Sequence, residues 1–240
     1  MSISIFLAGA SGAIGRRLTP LLVARGWRVF GTTRKAERLP ALKASGVEPI
    51  LVDVFDRDRL QKILGDLRPD IVMHQLTDLP YALDSTQMAA ALVRNARIRD
   101  EGTGNLVAAA MASGCRRIIA QSLGFIYAEG PLPHTEVDPL LPDSHPAYGP
   151  TATAVRSLEH QVLGFSGDGI ILRYGLFYGP GTGFDQPIAP ASVHIDAAAQ
   201  AAVLAVTGGQ SGIYNIAEDD GQVAIIKATR DLGWNPGWRA

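Results

Sequence analysis

Three glycines near the start of the chain, Gly9, Gly12 and Gly15, have a spacing that could serve chemistry. They follow a short apolar run and precede an amphipathic pattern, which predicts a tight turn between a strand and a helix. Such a turn lets the backbone approach a pyrophosphate closely, and the N–H groups and dipole of the helix N-terminus favour its negative charge. The alternative is an ordinary strand–helix loop without a ligand.

A second set of candidate binding residues follows the second apolar run, where the sequence reads Thr33-Arg34-Lys35. In dinucleotide-binding folds, a carboxylate at this place binds the ribose 2′-hydroxyl of NAD. Here no carboxylate occurs before Glu37, and the guanidinium of Arg34 suits a 2′-phosphate. The sequence therefore predicts NADP as the cofactor, with NAD as second choice. The alternative is that Arg34 and Lys35 are a solvated basic pair that opens a helix.

The histidines show no spacing typical of metal ligands, so no metal site is expected. His74 ends the fourth apolar run, beside the expected cofactor. We interpret it as a packed strand-end residue, with a role as a base as the alternative.

Further motifs extend along nearly the whole chain. They are residues 101–106 (EGTGNL), 172–181 (LRYGLFYGPG), 193–196 (VHID), 212–216 (GIYNI) and 232–236 (LGWNP). Together with the glycine turn, these segments resemble the extended short-chain dehydrogenase/reductases of the NAD-dependent epimerase/dehydratase family. The chain is short for that family. Either it is a compact member, or segments near residues 186–187 and 221–222 are missing from it.

The resemblance implies a set of cofactor-binding residues. They are Gly9, Ser11, Gly12, Ala13, Ile14, Gly15, Arg34, Asp53, Val54, Gln75 and Leu76. Among them, Asp53 matches the family position that hydrogen-bonds adenine. As an isolated residue, it could equally be a loop aspartate before the next helix.

The resemblance also implies two catalytic residues, Tyr148 and Ser122, but the motif around each departs from the family pattern. The family's tyrosine is followed four residues later by a lysine, whose ammonium lowers the tyrosine pKa and holds the nicotinamide ribose. Here that position is Ala152, and no lysine occurs between residues 63 and 226. Arg99 stands where the family often has an asparagine of the proton relay. The alternative for Tyr148 is a tyrosine that lines the pocket without a catalytic role. The alternative for Ser122 is a strand-end serine that hydrogen-bonds to the backbone.

These residues must be positioned by elements that alternate along the chain. Short apolar runs lie at residues 3–8, 28–32, 49–52, 71–74, 117–121, 169–173 and 213–216. Helical patterns lie between or after them, at residues 14–25, 36–44, 56–67, 88–113, 151–163 and 195–206. Alternation of this kind predicts an α/β fold, a Rossmann-type doubly wound parallel sheet. We expect a dinucleotide-binding domain over residues 1–175 and a small substrate-side lobe over 176–240, which is not an independent domain.

Composition excludes several classes of function. The net charge of −1 gives no basic field for nucleic acid, and no apolar run reaches the length of a membrane span. The single cysteine, Cys115, cannot form an internal disulfide and fits a reducing compartment, so the cytoplasm is expected. The expected partner is a small-molecule substrate. The resemblance leaves a homodimer through the long helices open.

Two functions remain. The first is an NAD(P)-dependent reductase or epimerase-like enzyme that acts on a small carbonyl, sugar or hydroxyl substrate. The second is a non-catalytic NADP-binding sensor or scaffold with a degenerate Ser-Tyr-Lys site. The missing lysine favours the second function, whereas the substrate-side motifs favour the first.

Overall fold

Seven parallel strands form the central sheet of the computed structural model, which describes residues 2–240. The strands are β1 (Ser4–Ala8), β2 (Arg28–Thr33), β3 (Glu48–Leu51), β4 (Ile71–His74), β5 (Arg117–Leu123), β6 (Asp168–Tyr174) and β9 (Gly212–Ile216). Their order is β3-β2-β1-β4-β5-β6-β9, and every neighbouring pair is parallel. Strands β7 (Leu176–Tyr178) and β8 (Ser192–His194) form a separate parallel pair. The predicted Rossmann-type α/β fold is confirmed.

Eight α-helices connect or follow these strands within residues 2–240. They are α1 (Ala13–Ala24), α2 (Leu39–Ala44), α3 (Arg57–Leu67), α4 (Ser85–Arg97), α5 (Thr103–Ser113), α6 (Gly149–Leu163), α7 (Ile195–Leu204) and α8 (Ile226–Leu232). In this part of the chain, none is long and apolar enough to cross a membrane.

Helices cover both faces of the sheet, which explains why its strands are apolar without alternation. In β1, Ile5 and Leu7 belong to one buried cluster, together with side chains of α1 and α7. Phe6, between them, belongs to a second cluster with side chains of α3, α5 and α6. Each such buried side chain contributes about 1.5–3 kcal/mol to folding. The helices thus cover the two faces of the sheet, and the carboxyl ends of the strands lie at an edge between these faces.

The long helical pattern predicted at residues 88–113 is three segments. Helix α4 begins earlier, at Ser85, where the Asp84 side chain caps it by accepting the Thr86 N–H. A turn of π-helix over Ile98–Gly102 then separates α4 from α5. Because a π turn adds one residue to the helical repeat, it changes the direction in which neighbouring side chains project.

The segment after residue 175 shares its sheet and core with the preceding part of the chain. Strand β9 pairs with β6, and α7 packs against α1, where Arg17 and Asp196 form an ion pair of 2.6 Å. Helix α8, which the sequence pattern did not predict, follows β9. Of residues 176–240, β9 thus belongs to the main sheet, whereas β7 and β8 form the separate pair. A substrate-side lobe over residues 176–240 stays a prediction.

Candidate functional site

A cavity of about 590 Å³ follows the carboxyl ends of the sheet strands. The residues that line it include those directly after β1, β2, β3, β4 and β6, and the last residue of β5, the place where open α/β sheets bind ligands. The predicted site residues along its wall are Gly9, Ser11, Gly12, Ala13, Ile14, Arg34, Asp53, Val54, Gln75, Leu76, Ser122 and Tyr148. Gly15 lies behind this wall.

The glycine turn leaves the N-terminus of α1 ready for an anion. Gly12 precedes the helix, no side chain caps it, and no acidic residue lies in its first turn. Gly9 has φ +93°, and a Cβ there would come within 2.5 Å of the Gln75 carbonyl oxygen. A Cβ on Gly15 would overlap the Gly9 carbonyl oxygen. The helix therefore packs closely on the turn with free N–H groups, an arrangement that fits a pyrophosphate.

Basic side chains surround the end of the cavity beside β2. Arg34 binds the Asp78 carboxylate at 2.9 Å, and Arg94 binds the same oxygen at 2.9 Å from outside the cavity. Burial raises the pKa of Asp78, but the bonds from the two arginines hold it below its ordinary value. Arg38, which sequence reasoning missed, donates to the carbonyl and hydroxyl oxygens of Ser11 at 3.3 Å each.

Asp53 lies at the same end of the cavity. Its carboxylate accepts the Phe55 N–H at 3.0 Å, and its side chain is exposed. Asp53 therefore forms the local bond expected of a loop aspartate and also lines the cavity. Its contact with adenine stays a prediction.

Tyr148 immediately precedes α6 and lines the cavity with 40% of its surface exposed. One helical turn later, Ala152 is fully buried in a cluster with Ile126 and Val155. Of residues 2–240, Lys35 is the lysine that lines the cavity, and it lies at the end of β2. No ammonium therefore replaces the family's lysine from another part of the described chain.

Ser122 belongs to a buried polar network behind the cavity wall. Its hydroxyl donates to Glu159 at 2.8 Å, and Arg173 binds both oxygens of Glu159 at 2.8 and 2.7 Å. Arg173 also donates to the Tyr127 hydroxyl at 2.9 Å, which donates to Asn215 at 2.5 Å. Since the Ser122 proton is directed to Glu159, orientation of a substrate carbonyl by Ser122 stays a prediction that requires this bond to open.

His74 is fully buried at the end of β4. Its Nδ1 accepts the Leu76 N–H at 3.3 Å, and its Nε2 lies 3.0 Å from the Thr103 hydroxyl. Burial, and then the charge of Arg99, lowers the pKa of His74 to about 4. The ring is therefore neutral at neutral pH and holds α5 against the sheet.

Two buried polar atoms along the cavity wall, Arg99 Nη1 and Gln121 Oε1, have no hydrogen-bond partner within residues 2–240. The Gln75 amide and the Tyr174 hydroxyl also line this wall and lie beside each other. Buried polar groups in proteins are almost always hydrogen-bonded, so the two atoms without a partner indicate contacts with a polar ligand. The uncapped helix, the basic end and these atoms together fit a dinucleotide with a small molecule beside it. Arg99 could be found in the sequence only as a departure from the family's asparagine.

The family model that matches the chain is described as the NAD dependent epimerase/dehydratase family and covers residues 5–213. A 3-diazoavenalumate denitrifying reductase from Streptomyces is 37% identical over 90% of this chain and 76% of its own length. A 4-hydroxy-2-methyl-3-oxo-4-farnesyl-3,4-dihydroquinoline-1-oxide ketoreductase from Stigmatella aurantiaca is 30% identical over 72% of this chain and 50% of its own length.

Solved structures share the fold at lower identity. The UDP-glucose 4-epimerase of Thermotoga maritima, in complex with UDP-glucose, has a TM-score of 0.76 at 18% identity and covers 98% of this chain and 94% of its own. The dTDP-glucose 4,6-dehydratase of Streptomyces venezuelae, with NAD bound, has a TM-score of 0.77 at 18% identity. It covers 98% of this chain and 92% of its own.

Proposed function

The chain belongs to the NAD dependent epimerase/dehydratase family, and we propose that it is a nicotinamide-dependent reductase of a small organic molecule. A bound reduced nicotinamide would supply a hydride to that substrate. The free N-terminus of α1 would hold the pyrophosphate, and Tyr148 would face the substrate end of the same cavity. The Streptomyces relative, which is named a reductase and matches 90% of this chain, supports this reading.

The observation that carries the proposal is the single cavity lined both by the uncapped N-terminus of α1 and by Tyr148. Among the enzymes of the family, Ala152 at the position of the family's lysine favours a reductase over an epimerase or a dehydratase. Epimerases and dehydratases of hydroxylated substrates must remove a hydroxyl proton as the hydride leaves, which requires an activated base. Tyr148 has no neighbouring ammonium to activate it as a base. Reduction of an acceptor that needs no proton makes a smaller demand, because the hydride comes from the cofactor and the protein has only to position the acceptor.

We propose NADP(H) as the cofactor. The end of β2 carries Arg34 and no carboxylate, and Arg38 lies beside it over the glycine turn. Guanidinium groups match the geometry of a phosphate, so these side chains favour the 2′-phosphate of NADP over the free hydroxyl of NAD. The homodimer suggested by the resemblance stays a prediction.

A narrower candidate reaction is hydride transfer to an aryl diazo group with loss of dinitrogen. The name of the Streptomyces relative denotes a denitrifying reductase of a diazo compound. A ketone that accepts a hydride becomes an alkoxide and needs a proton. An arenediazonium ion that accepts a hydride gives an arene and dinitrogen, and needs none. Ala152 replaces the family's lysine, and the Ser122 hydroxyl already donates its proton to Glu159. Neither residue is therefore ready to support protonation of an alkoxide, which suits an arenediazonium ion as the acceptor.

The test uses NADPH deuterated at nicotinamide C4 and two electrophiles with the same ring, 4-carboxybenzenediazonium and 4-carboxybenzaldehyde. We expect deuterated benzoate from the diazonium ion, formed faster than the deuterated alcohol from the aldehyde, as measured by mass spectrometry. Gly12→Val, which fills the pyrophosphate site, gives the uncatalysed background. If NADPH binds but neither product rises above that background, the protein is a dinucleotide-binding sensor or scaffold.

A further inference from the structure

Arg99 is a buried cation that forms no ion pair within residues 2–240. Its side chain lines the cavity, the residue is 7% exposed, and Nη1 has no hydrogen-bond partner within residues 2–240. Arg173 provides the comparison within the same chain, because it is 4% exposed and bound to both oxygens of Glu159. Charged groups are rarely buried unless they are paired. The buried guanidinium of Arg99 is therefore suited to bind an anion in the cavity.

The backbone presents Arg99 in a rigid way. It lies in the π turn between α4 and α5, and such turns occur frequently at functional sites. The next residue, Asp100, fastens the turn to α6. Its carboxylate accepts the Ser157 hydroxyl at 2.5 Å, and its carbonyl oxygen accepts the Gln161 amide at 3.1 Å. Because α6 begins directly after Tyr148, the same helix supports both Arg99 and the proposed substrate end of the cavity.

The phosphates of the cofactor have their own positions. The glycine turn opens α1, which packs on one face of the sheet, whereas α5 and α6 pack on the other. Arg34 and Arg38 line the end of the cavity beside β2, where we place the 2′-phosphate. Apolar side chains of Met88, Leu92 and Leu106 line the cavity on the side of α4 and α5. An anion for Arg99 would therefore come from a molecule other than the cofactor, one with an apolar body.

We propose that Arg99 binds a carboxylate on the substrate and selects small, otherwise apolar carboxylic acids. The planar fork of a guanidinium matches the two oxygens of a carboxylate and forms charge-assisted hydrogen bonds with them. The assignment of the ligand as the substrate rests on the proposed reductase function. The binding of an anion by Arg99 does not depend on that function.

The experiment compares cinnamate with cinnamamide, a neutral isostere, by calorimetry in the presence of saturating NADP⁺. In the wild type, we expect the carboxylate to bind roughly 10- to 100-fold more tightly than the amide. Arg99→Met should abolish that preference, and Arg99→Lys should keep part of it. Arg97→Met is the matched control, because Arg97 is exposed, pairs with Glu101 and lies outside the cavity wall. It should keep the full preference.

Three results would overturn the proposal. They are no binding of cinnamate at its solubility limit, equal affinity of the wild type for both probes, and a preference that survives Arg99→Met. The wild-type comparison decides the matter even if Arg99→Met fails to fold. If Arg99 were merely structural, Arg99→Met would have a lower unfolding temperature but the same preference for cinnamate over cinnamamide as the wild type.

The outcome is separable from that of the proposed function. Titration with NADP⁺ alone tests the cofactor, and the probe pair can also be titrated into cofactor-free protein. A carboxylate preference without NADP⁺ binding or hydride transfer supports the role of Arg99 and contradicts the reductase. Hydride transfer to the diazonium ion without a carboxylate preference supports the reductase and contradicts the role of Arg99.

Discussion

The backbone N–H of Ala152 donates a hydrogen bond of 2.8 Å to the carbonyl oxygen of Tyr148. The two residues are thus one helical turn apart, the spacing at which the family's lysine would lie beside its tyrosine. The difference lies in the side chain and its surroundings, since Ala152 is packed in an apolar cluster. The backbone geometry of the family's tyrosine–lysine pair is present, and alanine stands in place of the lysine.

Replacement of Ala152 by lysine should therefore restore acid–base function in part. We expect Ala152→Lys to raise the rate of aldehyde reduction at neutral pH by at least about 10-fold, because a positioned acid contributes that much or more. The longer side chain should lower the free energy of unfolding by about 1–3 kcal/mol. Steady-state kinetics and urea unfolding measure the two effects.

Ala152→Met is the control, because it adds similar bulk without charge. It should be as unstable as the lysine variant and gain no activity. The gain should also vanish when Tyr148→Phe is added to Ala152→Lys. Equal rates in the lysine and methionine variants would show that the cation does not act through Tyr148.

The glycine turn gives a direct test of cofactor binding. Gly12 has φ −76° and ψ 179°, an extended conformation that valine adopts readily, and a Cβ there would lie 3.3 Å from the Gly9 carbonyl oxygen. Gly12→Val should fold but lose NADP binding, because its methyl groups would cover the free N–H groups of α1. Calorimetry measures the loss. Gly65→Val, at a site with open space around its Cβ, controls for the effect of valine in place of glycine.

The cofactor preference should depend on Arg34. If Arg34 binds the 2′-phosphate, Arg34→Ala should weaken NADP binding roughly 10- to 100-fold and leave NAD binding nearly unchanged. Asp78→Asn should act in the opposite direction, because it removes the carboxylate that now holds Arg34 at 2.9 Å. Equal affinities of the wild type for NAD and NADP would contradict the assignment.

The sheet could be predicted from the sequence because each strand has a local signal. The apolar run at residues 71–74 coincides with β4, and the run at 28–32 falls one residue short of β2. The π turn could not be predicted, since its residues continue the helical pattern of α4 and α5. It depends on tertiary contacts with α6, such as the bond from Ser157 to Asp100.

The parts of the site that escaped prediction depend on residues distant in sequence. Ser122 is bound by Glu159, which lies 37 residues later and gives no local sign of the contact. The role proposed for Arg99 depends on the absence of an ion-pair partner for it within residues 2–240, a property of the folded chain rather than of any motif. Sequence motifs therefore predicted residues along the cavity wall, such as Gly12 and Tyr148, but neither the bond of Ser122 to Glu159 nor the unpaired, buried state of Arg99 within residues 2–240.

The buried pair of His74 and Arg99 predicts a specific loss of stability in acid. The pKa of His74 is about 4 in the folded protein and about 6.5 in the unfolded chain. Between these values the unfolded chain binds a proton that the folded protein does not, so the contribution of the neutral ring is fully present above pH 6.5. It falls as the pH drops from 6.5 to 4, by up to about 3 kcal/mol.

His74→Gln should remove this part of the pH dependence, because glutamine cannot titrate but can still donate to Thr103. Urea unfolding between pH 7 and 4 should show a flatter decline of the free energy of unfolding for His74→Gln than for the wild type. His160→Gln, at an exposed position on α6, should decline like the wild type. Arg99→Met should lie between them, because the charge of Arg99 lowers the pKa of His74 and its removal narrows the interval. Parallel curves for the wild type and His74→Gln would show that the imidazole is protonated in the folded protein at the same pH as in the unfolded chain.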